Sequence, residues 1–310
     1  MMKNISIIVP IFNEELSLNS LYQQIYKVVI NNFNSYQIIF IDDGSTDSSS
    51  DLIENLINED KNIVLIRLNR NYGKSDALNE GIKIACHDYV VTLDGDLQDD
   101  PNEIIKLTNK IDEGWDCVSG WKKNRKDPIS KTIPSLFFNK IVNFMSGLKL
   151  HDLNCGIKAY KKDAIKSLNL YGGLHRFIPL LLANNGYKVS ECVVNHRSRT
   201  FGKSKYGNSR FFHGVFDFLT IFFLKKYFNR PMYFFGTIGF FLFSAGFLIN
   251  LYLSIQWFNG IFISNRPLFF LGILLILIGI QSLSIGLIGE LIVNNSIQQK
   301  NKVKQVIENK

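Results

Sequence analysis

Through the first 120 residues, short apolar runs that stop abruptly in polar clusters alternate with longer segments of helical spacing. Ile5 to Pro10 (ISIIVP) reads as a buried strand, and Glu15 to Asn31 places Leu18, Leu21, Ile25 and Val28-Val29 on one helical face. Gln37 to Ile41 is a second strand, ending at Asp42-Asp43-Gly44-Ser45, after which Thr46 or Asp47 is placed to cap a helix running to about Asp60. Ile63 to Leu68 is a third strand, leading through Asn71-Tyr72-Gly73-Lys74 into a helix from about Ser75 to Ala85. Tyr89 to Leu93 and Trp115 to Gly120 complete the set. Strands alternating with helices of ten or more residues predict βαβ units and a mainly parallel sheet. Ligands of such sheets bind beyond the carboxyl ends of the strands. Pro10 with Asn13 and Glu14, Asp42 to Ser45, Gly73-Lys74, and Asp94 with Asp96 all fall at those ends, so the four clusters predict one site.

The pattern changes after residue 207. Between Asn208 and Phe228, Phe211-Phe212, Val215-Phe216 and Leu219 share a helical face, with Arg210, His213 and Asp217 elsewhere and Lys225-Lys226 following. That arrangement predicts a helix lying in a membrane interface, with a core helix of the soluble domain as the alternative. Met232 to Ile255 and Pro267 to Val293 are each long enough to cross a hydrocarbon layer of roughly 30 Å. Lys225, Lys226 and Arg230 precede the first span and Lys300, Lys302 and Lys304 follow the second, whereas the connecting loop carries only Arg266. The positive-inside rule predicts a hairpin with the bulk of the chain and its tail on the cytoplasmic side of the inner membrane. The expected layout is an α/β domain at 1–207 that holds the four clusters, an interfacial helix at 208–230, spans at 231–255 and 267–293 joined by an external loop, and a basic tail from 294. Glycines recur seven apart in both spans (Gly239 and Gly246; Gly272, Gly279 and Gly286), predicting close packing within the hairpin or between protomers.

Composition adds little to this division. The chain has 310 residues, 46% of them hydrophobic, and a formal charge of +8. The roughly 230 residues before the spans suffice for one large domain with its own core. The N-terminus does not read as a signal peptide, because its apolar run is short, contains Pro10 and meets Asn13-Glu14-Glu15. The cysteines at 86, 117, 155 and 192 form no C-x-x-C pair and read as free thiols.

The chemistry centres on Val90 to Pro101, VVTLDGDLQDDP, where four carboxylates crowd the end of one strand. Such a cluster calls for a partner of opposite sign. Hard oxygen ligands of this kind suit Mg²⁺ or Mn²⁺, which combine one or two carboxylates with substrate phosphates. A strand continued through Gly95 would set Asp94 and Asp96 on one side. An acidic turn before a helix N-terminus is the plainer alternative. A basic stretch follows at Lys122, Lys123, Arg125, Lys126 and Lys131, and it points to a second anionic ligand. Lys74, next to a helix start, is placed either to steady a phosphate or to remain solvated.

Taken together, V9-P-I-F-N-E14, D42-D-G-S45, N71-Y-G-K74 and D94-G-D-L-Q98 resemble the signature of glycosyltransferase family 2, the inverting nucleotide-sugar enzymes of GT-A fold. Through D152-L-N-C-G-I-K158, H175-R-F-I-P179 and H196-R-S-R-T-F-G-K-S-K-Y-G207 the resemblance narrows to the polyprenyl-phosphate glycosyltransferases. It implies a nucleotide diphosphate sugar donor, with UDP-glucose as the first expectation, and a polyprenyl phosphate acceptor at the lipid bilayer. A homo-oligomer, with a tetramer as one form, is also implied, and nucleic acid is not expected as a partner. By the same resemblance, Pro10, Asn13, Glu14 and Asp42, with Gly44, Ser45, Gly73 and Lys74, surround the nucleotide, and Asp94 contacts nucleotide or sugar. Asp96 and Gln98 match the metal ligands. Lys122 or Arg125, then Lys131 and Ser135, match residues that grip the acceptor phosphate, and Arg199 with Lys205 match a second phosphate-binding pair. Asp152 and Arg176 match positions near the acceptor, ion pairing within the fold being an equal alternative for each. A polysaccharide-extending relative would carry Q-x-x-R-W, which is absent, and a dinucleotide oxidoreductase would need G-x-G-x-x-G in the first turn. A non-catalytic scaffold is disfavoured by the intact Asp94, Asp96 and Gln98.

Overall fold

Ile38, Ile39, Phe40 and Ile41 are all fully buried, because the strand they form is covered on both faces and its apolar run is therefore continuous rather than alternating. The same logic organises the rest of the sheet in the computed structural model. It describes residues 3–123, 148, 150–197, 220, 223, 227, 230–261 and 267–297. The chain divides into two units, residues 1–218 and 219–310.

The first unit is built from β1 (Lys3–Ile11), α1 (Glu15–Asn32), β2 (Phe33–Asp42), α2 (Ser49–Glu59), β3 (Ile63–Arg67), α3 (Lys74–Ile84), β4 (Tyr89–Thr92), α4 (Glu103–Asp112) and β5 (Cys117–Trp121). β6 (Lys158–Lys161), α5 (Lys162–Lys166), a 3₁₀ turn (Leu174–Phe177), α6 (Ile178–Asn184) and β7 (Val189–Val193) follow. Among the described residues the strands form one sheet in the order β3-β2-β1-β4-β6-β5-β7. All pairs are parallel except those of β6, which runs antiparallel to both β4 and β5. Ile5, Ile7, Val9, Ile11, Ile38 and Phe40 join the core that includes α1 and α4. On the opposite face α3 lies so close that a Cβ on Gly81 would come within 2.7 Å of Ile8 Cγ2. β1 sits between β2 and β4: the chain steps from β1 outward to β2 and β3, and the connection from β3 then crosses back to β4 on the other side of β1. The crevice at that switch point is where an open α/β sheet takes its ligand.

Two local expectations need correction. β4 stops at Thr92, so Asp94 and Asp96 occupy a turn rather than a continued strand. α2 begins at Ser49 with Ser48 at the cap position, two residues beyond Thr46 and one beyond Asp47, while the Asp47 carboxylate accepts the Ser49 N–H at 3.0 Å.

In the second unit, α7 (Pro231–Phe258) and α8 (Pro267–Ile297) are each long and apolar enough to cross a membrane, with mean hydropathies of 1.9 and 2.5 over their candidate spans. Their glycines meet inside the hairpin. A Cβ on Gly239 would lie 2.7 Å from the Gly279 carbonyl oxygen, one on Gly279 2.6 Å from the Phe243 nitrogen, and one on Gly246 2.5 Å from the Gly272 oxygen. Backbones this close exclude any side chain at the crossing. Near the same end as Met232, Glu290 of α8 accepts the Met232 N–H at 3.3 Å, satisfying one of the amides that a helix start leaves unpaired. Of the expected interfacial helix, Thr220, Phe223 and Tyr227 are described and helical. The remainder of that stretch, and Lys300, Lys302 and Lys304, lie outside the described residues.

Candidate active site

The loops after β1 and β2 are stitched to each other. Asn13, in the left-handed region at φ +52°, donates its N–H to Ser45 Oγ at 2.9 Å and accepts the Thr46 N–H at 2.8 Å. The Glu14 N–H reaches Ser49 Oγ at 3.0 Å. Asp42 is buried with both carboxylate oxygens engaged, one by the Ser45 N–H at 2.8 Å and the other by the Ser50 hydroxyl. Its part is to fix the turn that carries Gly44 and Ser45. The neighbouring Asp43 receives the Tyr72 and Gly73 N–H groups at 2.7 and 2.9 Å, and so ties the loop before α3 to the end of β2. Burial raises its pKa, partly offset by those two amides. Gly44 is required between these carboxylates, because its φ is +75° and a Cβ there would lie 2.6 Å from the Arg70 carbonyl carbon.

Lys74, the first residue of α3, ion-pairs with Asp94. Burial alone would raise the Asp94 pKa, but Lys74, with Lys122 and Lys158 farther off, outweighs it and brings it down to about 2. Leu97 takes φ +61°, closing a turn in which Asp96 Oδ1 accepts the Gln98 N–H at 3.2 Å. Asp96 and Gln98 thus offer one carboxylate and one amide oxygen at the mouth of the switch point. Among the described residues no group of three or more His, Cys, Asp or Glu is arranged to hold a metal. A sparse all-oxygen donor set of this kind fits Mg²⁺ or Mn²⁺, whose remaining positions are filled by phosphates and water.

Asp99 and Gly156 went unassigned in the sequence. Asp99 is buried and ion-paired with Lys122 at 2.8 Å. Its pKa is raised by burial against the pull of Lys122, with Asp94 adding to the rise. Lys122 therefore serves a carboxylate of the protein in this structure, and its side chain is only 13% exposed. Gly156 fits between the two acids, since a Cβ there would lie 2.5 Å from Oδ2 of both Asp94 and Asp99. The signal for Asp99 was its place as the third of four carboxylates in one turn; nothing in the spacing linked it to Lys122.

Asp152 is buried and accepts the Asn154 N–H at 3.2 Å, shaping the turn that delivers Gly156. Arg176 is half-buried on the 3₁₀ turn beside His175, whose Nδ1 lies 2.9 Å from Ser75 Oγ. Arg197 was also missed. It ion-pairs with Asp100 at 2.7 Å and donates to Gln24 at 2.6 Å, while its N–H bonds the Gln98 carbonyl at 2.9 Å. The segment entering the R-T-F-G-K-S-K stretch is thereby pinned against the turn that carries Gln98 and Asp100. Arg125, Lys131, Ser135, Arg199 and Lys205 lie outside the described residues.

The profile of Glycosyl transferase family 2 matches residues 6–168. The dodecaprenyl-phosphate galacturonate synthase of Rhizobium johnstonii is 36% identical over 300 residues, covering 93% of this chain and 87% of that protein. The undecaprenyl-phosphate 4-deoxy-4-formamido-L-arabinose transferase of Shewanella sediminis is 34% identical over 297 residues, covering 93% and 86%. Among solved structures, glucosyl-3-phosphoglycerate synthase from Mycobacterium tuberculosis, in complex with Mn²⁺ and UDP-glucose, superposes with a TM-score of 0.55 at 19% identity, covering 71% of this chain and 79% of that one. That likeness is one of fold, and it places the strand order described above in the GT-A class. The motifs and the two full-length relatives carry the assignment further: the chain belongs to glycosyltransferase family 2 and is a glycosyltransferase of its polyprenyl-phosphate group.

Proposed function

We propose that the protein transfers a sugar from a nucleotide diphosphate sugar to a polyprenyl phosphate such as undecaprenyl phosphate, with inversion, on the cytoplasmic leaflet. The observation that carries this reading is the gathering of Asn13, Asp43, Lys74, Asp94, Asp96 and Gln98 at the β1–β4 switch point, in a chain that ends in an apolar helical hairpin. The layout expected from the sequence belongs to the same proposal: residues 1–207 catalytic, 208–230 interfacial, two spans and a basic tail.

The acceptor needs little activation. A phosphate monoester is already anionic at neutral pH, its second pKa lying near 6, so no general base has to deprotonate a hydroxyl. What remains is positioning. The stitched loops after β1 and β2 would hold the nucleotide, and Asp94, kept ionised by Lys74, would accept hydroxyl hydrogens of the donor. Arg125, Lys131, Ser135, Arg199 and Lys205 are the candidates for the acceptor phosphate, with Lys122 steadying Asp99 between the two halves. Charge developing on the leaving diphosphate would be neutralised by Mg²⁺ or Mn²⁺ held by Asp96 and Gln98.

For the donor, the resemblance points to UDP-glucose, whereas the names of the two relatives point to galacturonate and to 4-deoxy-4-formamido-L-arabinose. The test is release of nucleoside diphosphate by the purified protein over a panel of those donors, with Mg²⁺ or Mn²⁺, with and without undecaprenyl phosphate. Lipid-dependent release with one donor preferred is expected. Nucleotide binding without release under any condition would overturn the reading. Asp96→Ala should abolish release while leaving the thermal unfolding midpoint within about 2 °C; retained metal-dependent activity would remove Asp96 from the metal site.

A further inference from the structure

A small cavity is lined by Lys74, the ion-pair partner of Asp94, together with Thr92, Gly156, Lys158, Tyr160 and His175. It opens between the start of α3, the 3₁₀ turn and the ends of β4 and β6. Lys158 is the residue that a core does not require. It is 3% exposed, and its ammonium donates to the Cys155 carbonyl. Among the described residues no carboxylate ion-pairs with it, since Asp94 is taken by Lys74 and Asp99 by Lys122. An ammonium has three donors, and a buried one left without a counter-charge costs several kcal/mol. Burial lowers the Lys158 pKa and Lys74 adds to that fall, while Cys155 and the buried carboxylate of Asp152, which makes no ion pair with Lys158, offset it only in part. His175 supplies no negative charge; Lys74, Arg176 and Lys158 act on it as cations, and the Asp94 carboxylate acts in the opposite sense.

The space left to the centre of a water-sized sphere is about 10 Å³, room for roughly one water. A sugar ring does not fit there. The tip of a group projecting from a ring does, and the group that answers a buried ammonium with unused donors is an oxyanion.

We propose that this cavity receives the carboxylate of a hexuronic acid carried by the donor, with Lys158 as the specificity-determining cation. The proposal rests on the transferase reading and narrows its substrate class. Thr92 Oγ1 and the Tyr160 hydroxyl, 3.5 Å apart, form the neutral wall opposite. A neutral hexose would leave Lys158 without an ion-pair partner, so the penalty falls on the wrong donor.

The experiment uses the full chain in detergent with Mn²⁺. Calorimetric titration with UDP and GDP first fixes the nucleotide. The uronate and the neutral hexose on that nucleotide are then compared, UDP-galacturonate with UDP-galactose or GDP-mannuronate with GDP-mannose. At least tenfold tighter binding of the uronate is expected in the wild type. Lys158→Met should erase that preference and leave the affinity for the bare nucleotide unchanged, and Lys158→Arg should keep it. Equal or better binding of the neutral hexose by the wild type overturns the proposal. So does a Lys158→Met variant that loses affinity for the bare nucleotide in parallel, which would make the cavity a diphosphate site. Should Lys158→Met fail to fold, the wild-type ratio decides. A uronate preference without lipid-dependent nucleotide release would sink the transferase reading alone.

Discussion

Asp94 shows how far a neighbour can set the state of a single residue. Its folded pKa of about 2 lies below the ordinary value, so the ion pair with Lys74 contributes stability that is complete above about pH 4 and lost as pH falls toward 2. Both side chains are partly exposed, which limits the contribution to about 1–2 kcal/mol. Lys74→Met should therefore lose less stability than the wild type between pH 4 and pH 2, as read from urea midpoints, and Asp94 should contribute no titration to the rate profile between pH 5 and 8. Gly156→Ala tests the packing of the two acids: its methyl would force Asp94 and Asp99 apart, with an expected loss of about 2 kcal/mol in stability and at least tenfold in turnover. The sequence disclosed that these carboxylates cluster, because a strand end and its turn are local. It did not disclose that Asp42 spends both oxygens on its own loop, or that Lys122 is held by Asp99, because those contacts depend on geometry that residue spacing does not record.

At the scale of elements, β1, β2 and β4 were legible because their apolar runs are buried on both faces and punctuated by polar turns, and the edge strand β3 because Ile63 to Ile66 is an unbroken apolar run. β6 was not, since Lys158–Lys161 is four residues long, reads KAYK and runs against its neighbours. The 3₁₀ turn that brings His175 to Ser75 was hidden for the same reason: it is too short to show a period. Arg197 joins the chain leaving β7 to the turn between β4 and α4. Arg197→Ala should raise the acceptor KM severalfold while leaving nucleotide affinity unchanged, because it loosens the entry to residues 198–207 without touching the loops after β1 and β2. Across the hairpin, Glu290→Ala removes the acceptor for the start of α7, and the expected fall in thermal midpoint in detergent is a few degrees.

For the molecule as a whole, charge flanking the spans argued for an orientation, and cysteine labelling tests it: a cysteine at 262 should react from outside intact cells and one at 302 only after permeabilisation. The seven-residue glycine spacing was visible in the sequence, but its two possible uses were not distinguished there. Gly279→Leu should separate α7 from α8 and lower both thermal midpoint and activity; an unchanged protein would disprove the packing. Because each glycine row is consumed by the other helix of the same chain, what the hairpin turns outward is bulky: Phe240, Phe241 and Leu248 on α7, Phe270, Leu287 and Leu291 on α8. Any oligomer within the bilayer must then be recruited through large aliphatic and aromatic knobs competing with acyl chains. Its strength should vary with lipid composition and detergent, whereas the fold of each hairpin should not.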